Sequence, residues 1–315
     1  MGDLLLGCSG WNYGHTPENG GGWTGVFYPD ANTKRRRYYS QFFDTAEIDS
    51  TFYEKFYTIM TKGTFIGMSK ATPEKFQFSV KVPETITHIK RLRTELGAFS
   101  DFEEFLEKIS PFNKANKLGA VLFQLPPSFT VSEFKNVERF LDKLPKSASA
   151  SASNLSSSSS LSSPPSTKKT AISNAYHYAV EFRHPSWKTE GPWELLKHYN
   201  IATVLTDSPA RENLGFLSEV TVTTDHSFIR FHGRNEKGHY WYNYLYSKEE
   251  LKPWVDKVAK LKEQTKILRI YFNNHYGGKA VLNALQFKEM NSMAMSQEGR
   301  RALQHAQSYL SKMDK

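Results

Sequence analysis

Residues Tyr178 to Trp187 read YAVEFRHPSW, and the fold turns on how this stretch is taken. An apolar run ends in Glu181, Arg183 and His184 and is then stopped by Pro185. Successive side chains of a strand point to opposite faces, so Val180 and Phe182 share one face while Glu181 and Arg183 share the other. A strand buried on both faces of a parallel sheet should be apolar at nearly every position. Charged groups on one face therefore call for a polar interior. Three further segments repeat the pattern. In AEID, Glu47 and Asp49 oppose Ala46 and Ile48; in FIRFHG, Arg230 and His232 oppose Ile229 and Phe231, with Arg234 following. In LRIYFNN, Arg269, Tyr271 and Asn273 oppose Leu268, Ile270 and Phe272.

Four more short apolar runs read as strands: Leu4 to Ser9, Phe76 to Val82 with Lys81 near its end, GAVLFQLPP with Gln124 at its end, and ATVLTD ending at Asp207. Helical periodicity lies between most of them. Phe102, Phe105, Leu106 and Ile109 fall on one face, as do Leu251, Trp254, Val255, Val258 and Leu261. Ser100 to Glu103 and Thr130 to Glu133 have the spacing of capping boxes. Eight strands alternating with helices predict an α/β fold, a single TIM-like (β/α)8 barrel with its site at the C-terminal strand ends. No GxGxxG follows the first strand, which argues against a dinucleotide-binding open sheet. Lys146 to Thr170 breaks the pattern with serine and Pro164–Pro165, and reads as a disordered insertion at about 146–174 within one domain spanning 1–315.

The chain has 315 residues, a net charge of +9 and 39% hydrophobic residues, enough for a large core. It lacks a run of about 18 apolar residues, so no membrane span is expected. Cys8 is the single cysteine, so no internal disulfide can form; an intracellular, cytoplasmic setting is expected, with a nuclear one left open. The basic run Lys34 to Arg37 reads as the solvated start of a helix.

GCSGW, FYP, EIDSTFY, FSVKVP, LGAVLFQLPPSF, VEFRHPSW, TDSP, FIRFHGR and YFNNHYGGKAVLNA occur in an order that resembles the YecE-like family, domain of unknown function seventy-two. The resemblance covers nearly the whole chain. It implies a TIM-like barrel with these motifs at its mouth, and it implies no established reaction.

At that mouth, Glu47, Glu181 and His232 are the expected proton-transfer groups. Arg183, Arg230 and Arg234 offer forks for a phosphate or carboxylate and Lys81 a point charge, so a small anionic substrate is the expected partner. Trp11, Asp49, Tyr53, Gln124, His184, Asp207, Tyr271 and Asn273 complete the expected lining. No cofactor is expected. A divalent metal at Glu47, Glu181, Asp207 and His232 would make a phosphoester hydrolase, but the cations in the same layer would repel it and no HExxH spacing occurs. Two other readings stand beside an enzyme. One is a self-satisfied ion-pair lattice with no chemistry, which is costly to assemble. The other is nucleic-acid binding without catalysis, favoured by the basic balance and disfavoured by the dispersal of basic residues.

Overall fold

The structure is a computed structural model and describes residues 2–145, 176–209, 217–236 and 242–313. Eight strands run β1 Asp3–Cys8, β2 Thr45–Ile48, β3 Gln77–Lys81, β4 Leu118–Gln124, β5 Tyr178–Glu181, β6 Ala202–Asp207, β7 His226–Phe231 and β8 Ile267–Phe272. They are hydrogen-bonded in the order β1-β8-β7-β6-β5-β4-β3-β2, and each pair is parallel. Between β1 and β2 the ring is drawn together by a Ser9–Glu47 bridge, with Gly10 N donating to Glu47 O at 2.8 Å. Gly7 makes that approach possible. A Cβ placed there would lie 1.9 Å from the Thr45 carbonyl oxygen, so only glycine fits. The expected single TIM-like barrel is what forms.

Helices α1 Arg35–Tyr39, α2 Glu54–Tyr57, α3 Lys62–Lys70, α4 Ala98–Lys114, α5 Phe134–Leu141, α6 Glu190–His198, α7 Lys248–Gln264 and α8 Lys279–Met290 lie between or after the strands, and α9 Gln297–Met313 closes the described chain. The outward strand faces meet them through aromatic rings. Phe78 stacks on Phe112 of α4 at 4.6 Å, and Phe231 lies between Phe272 (4.5 Å) and Trp254 of α7 (5.0 Å). Inside the ring, Ala120, Leu122, Ala179, Ala202, Val204, Phe228 and Tyr271 make a separate apolar cluster. It divides the interior into a polar mouth at the C-terminal strand ends and a polar floor at the N-terminal ends.

Neither expected capping box forms. α4 begins at Ala98 behind Gly97, whose φ of +75° ends the preceding turn, so Ser100 already lies inside the first helical turn. Thr130 turns its hydroxyl to Ser132 (2.6 Å), and the Glu133 carboxylate is taken by Arg91. A capping box does open α7, where Ser247 N donates to Glu250 Oε2 (2.8 Å) and Glu250 N to Ser247 Oγ (3.2 Å). The helix expected from Lys34 onward is only the five residues of α1. The serine-rich insertion lies outside the described residues. Among the described residues no helix is long and apolar enough to cross a membrane.

Candidate functional site at the mouth of the barrel

Strand parity delivers five charged or polar side chains to one point. Glu47 leaves β2, Gln124 β4, Glu181 and then Arg183 β5, and Arg230 β7, all on the interior face. Arg230 is at the centre and is 1% exposed. Its Nε and Nη2 donate to the two oxygens of Glu47 at 2.9 and 2.6 Å, a two-pronged contact matched to guanidinium geometry. Its Nη1 donates to Glu181 Oε2 at 2.6 Å and, weakly, to Gln124 Oε1 at 3.4 Å. Arg183 completes the ring by donating from Nε to Glu181 Oε1 (2.7 Å) and from Nη2 to Gln124 Oε1 (2.9 Å). Both glutamates are fully buried. Each of their oxygens accepts from a guanidinium.

The same ring sets the protonation states. Burial raises the Glu47 pKa and Arg230 only partly opposes it, so this carboxyl sits above its ordinary value. Burial also raises Glu181, but Arg230, Arg183 and His232 outweigh it and hold that carboxyl well below the usual range. His232 is fully enclosed, and burial takes its pKa down to about 4 despite the pull of Glu181. Asn273 Nδ2 donates to His232 Nδ1 (3.0 Å), which fixes the neutral tautomer with hydrogen on Nε2, 3.3 Å from Glu181 Oε1.

Lys81 behaves differently. It follows Gln77 and Ser79 on the interior face of β3, and its ammonium stands 3.6 Å over the centroid of the Phe52 ring. No ion pair or side-chain hydrogen bond engages this ammonium among the described residues. Burial, then Arg230 and Arg183, bring its pKa from 10.5 down to about 7, while Glu47 and Glu181 only partly oppose them. Sequence reasoning gave Lys81 a fixed charge. The structure makes it an amine that can hold or release a proton at neutral pH.

Not every expected residue reaches this point. Tyr271 is one layer down, its hydroxyl bonded to Thr45 Oγ1 (2.7 Å) and Ser79 Oγ (2.8 Å). Asp207 shares the outward face of β6 with Leu205 rather than the inward face with Thr206. There its carboxylate accepts from Arg234 Nε and Nη2 (2.7 and 2.6 Å), Tyr246 OH (2.9 Å) and Trp254 Nε1 (2.7 Å) under α7. Arg234 is thereby tied to Asp207 and to Glu250 (3.3 Å). Trp11 packs on Phe78 (5.7 Å) on the helix side of β3 and lines a surface cleft with the side chains of Lys34 to Arg37. His184 Nδ1 accepts from Ser186 N (3.1 Å) and organises the loop after β5. Tyr53, 45% exposed, stays at the rim, where Asp49 and Glu84 hold its pKa up after burial and Arg183 partly opposes them. Asp49, half-buried, acts electrostatically on Tyr13, Tyr53 and His275.

The four metal-ligand candidates do not converge, because Asp207 leaves the interior and the oxygens of Glu47 and Glu181 are engaged by arginines. No group of three histidine, cysteine, aspartate or glutamate side chains with metal-holding geometry occurs among the described residues. Sequence reasoning also missed Phe52, the ring beneath Lys81, and the stack of Tyr13 on His275 (4.8 Å). Residue parity in FSVKVP carried a signal for Lys81, since it places the lysine inward. The pairing of Lys81 with Phe52, in the turn after β2, had none.

Comparison with known proteins agrees with this architecture. The family model described as "Protein of unknown function DUF72" matches residues 5–307. The chain is 28% identical over 312 residues to the UPF0759 protein YunF of Bacillus subtilis, covering 91% of this chain and 94% of that one. It is similar to the crystal structure of a DUF72 family protein from Thermotoga maritima, at 30% identity and a TM-score of 0.68, covering 92% of this chain and 99% of that one. A DUF72 family protein from Enterococcus faecalis shares the fold at 21% identity and a TM-score of 0.65, over 93% of this chain and 99% of that one. With its eight-stranded barrel, its polar mouth and a match over nearly its whole length, this chain belongs to the DUF72 family.

Proposed function

We propose that this chain is an enzyme that moves protons on a small phosphate- or carboxylate-bearing substrate at the C-terminal mouth of the barrel, with Lys81 as the proton carrier. One observation carries the reading. Lys81 is the inward-facing cation of the mouth with no carboxylate partner among the described residues, and its pKa is brought down to about 7. A base is most effective when its pKa lies near the working pH. An anion arriving beside Lys81 would favour its charged form, so binding and proton uptake reinforce each other.

In this reading the glutamates are positioning residues. Glu47 fixes Arg230, and Glu181 fixes Arg183 and His232, so neither moves when substrate enters. Arg183, two residues past the end of β5 and more exposed than Arg230 (8% against 1%), is the guanidinium assigned to the anion. His232, neutral and with its hydrogen on Nε2, completes the polar wall.

The test is a thermal-shift panel of phosphorylated and carboxylated metabolites and short oligonucleotides, run on the wild type, Lys81→Met and Arg183→Gln. A small anion that raises the wild-type midpoint and not those of the two variants supports the site. Ligands that shift all three proteins equally would sink it. A response confined to oligonucleotides and falling steeply with salt would replace it by nucleic-acid binding.

A further inference from the structure

The floor of the barrel poses an electrostatic problem opposite to that of the mouth. Arg269 points inward from the start of β8 and is 1% exposed. Its guanidinium reaches across the barrel, where Nε and Nη2 donate to Gln77 Oε1 on β3 at 3.2 and 2.8 Å. Nη2 also lies 3.2 Å from His177 Nδ1, just before β5. Nη1 is buried with no hydrogen-bond partner among the described residues. His226, at the start of β7, is 1% exposed, and neither of its ring nitrogens has a hydrogen-bond partner among the described residues. The rings of His177 and His226 are 4.5 Å apart. Among the described residues no carboxylate pairs with Arg269; Asp225, which bears on His177, is engaged with Lys266 at 2.9 Å.

A buried charge without a partner is among the least favourable arrangements in a protein. Lysine can escape it by losing its proton, as Lys81 can at the mouth with a pKa of about 7. Arginine cannot, because its guanidinium stays protonated under any ordinary condition. Burial brings the pKa of Arg269 down only to about 10, which leaves it charged at neutral pH. The histidines can supply no negative charge; burial brings His177 down to about 4 and His226 well below its ordinary value, so they stay neutral and at least add no second positive charge. The described residues leave the floor short of one negative charge.

We propose that the N-terminal floor of the barrel is a binding site for one small monovalent anion of halide size, held by Arg269 Nη1 and an imidazole N–H of His226. Two independent orphaned donors, on neighbouring strands β7 and β8, supply the contacts. The register that pairs Phe228 with Arg269 places His226 two residues nearer the floor on the adjacent strand. Gln77 and His177 fix the guanidinium plane from the other side. Both retain partial exposure at that end of the barrel, which gives a small ion its route. The ion neutralises Arg269 and stabilises the folded barrel; it has no part in the chemistry at the mouth, from which the apolar layer of Phe228, Val204 and Leu122 separates it.

The test uses the intact chain in two ways. The first is thermal unfolding in sodium chloride against sodium gluconate at constant ionic strength, for the wild type and Arg269→Gln. The expected result is a saturable rise of the wild-type midpoint with chloride and a flat response in the variant, since a ligand that binds only the folded state stabilises it by mass action. The second is a bromide-soaked crystal of the wild type, with an anomalous peak expected in contact with Arg269 Nη1. It needs no variant to fold. A wild-type midpoint indifferent to chloride, or a chloride response that persists in Arg269→Gln, overturns the proposal. So does a bromide-soaked crystal with no anomalous signal at the floor, and where the two methods differ the crystal decides. Failure of the metabolite panel at the mouth would leave this outcome untouched.

Discussion

Replacing Arg230 by methionine tests the central ring directly. Three charge-assisted hydrogen bonds of 2.6 to 2.9 Å vanish, and they end on two carboxylates with no solvent exposure. Removing one partner from a buried pair costs about 3–5 kcal/mol, because the other charge is left uncompensated. Glu181 retains Arg183 at 2.7 Å, so most of that loss falls on Glu47, which keeps no guanidinium. Glu47 already sits above its ordinary 4.5 through burial, and loss of Arg230 lifts it further. The folded variant then holds a proton that the unfolded chain releases, so its stability falls as pH rises above the unfolded value. The expected deficit is therefore about 3–5 kcal/mol at pH 8 and clearly smaller at pH 5. Urea unfolding followed by tryptophan fluorescence at both pH values measures it. Glu47→Gln together with Arg230→Met should restore part of the loss, with a coupling of about 1–3 kcal/mol. A deficit below about 1 kcal/mol at pH 8, or one independent of pH, would refute the idea that Arg230 neutralises a buried carboxylate.

Lys81→Met should abolish turnover on any substrate found and stabilise the protein at pH 7. A lysine pKa lowered from 10.5 to about 7 withholds up to about 4 kcal/mol there, a penalty that disappears as pH approaches 10.5. Urea unfolding between pH 7 and 10.5 should show the two proteins converging, and parallel curves would contradict the assignment. Asp207→Ala strips the acceptor from the buried Trp254 and Tyr246 donors and from Arg234, and should cost about 3 kcal/mol. A loss of under about 1 kcal/mol in chemical denaturation would mean that the cluster beneath α7 is dispensable. Cys8 is fully buried and burial pushes its thiol pKa up, so a disulfide reagent should label it only after unfolding. Rapid labelling of the native protein would place it at an accessible surface instead.

The barrel was legible because its strands carry a period-two pattern that survives without any partner in view. Val180 and Phe182 do face the helices, and Glu181 and Arg183 do face inward, as in YAVEFRHPSW taken alone. Asp207 was misplaced because its position at a strand end was weighed and its parity was not: in ATVLTD it alternates with the inward Thr206. Trp11 was misplaced for another reason. It lies beyond the end of β1, where alternation no longer dictates direction. Which charge meets which is not a local property at all. Arg230 and Glu47 are 183 residues apart, and their pairing follows only from closure of the ring. That closure turns the expected anion forks of Arg230 and Arg234 into internal partners and leaves Lys81 as the group with chemical freedom. The lattice of ion pairs weighed against a functional site is present, and Lys81 lies beside it without an ion pair among the described residues.

The serine-rich stretch enters after α5 and rejoins the barrel before β5, so both junctions, Pro145 and Tyr176, belong to a helix-to-strand connection. In a parallel barrel every such connection lies at the pole opposite the mouth. Tyr176 is next to His177, one of the residues that fixes Arg269. Insertions there are therefore expected to spare the opposite pole: a reporter domain spliced between Pro145 and Tyr176 should leave the folding of the barrel and ligand binding at its mouth unchanged. The two poles are separate territories for evolution and for engineering.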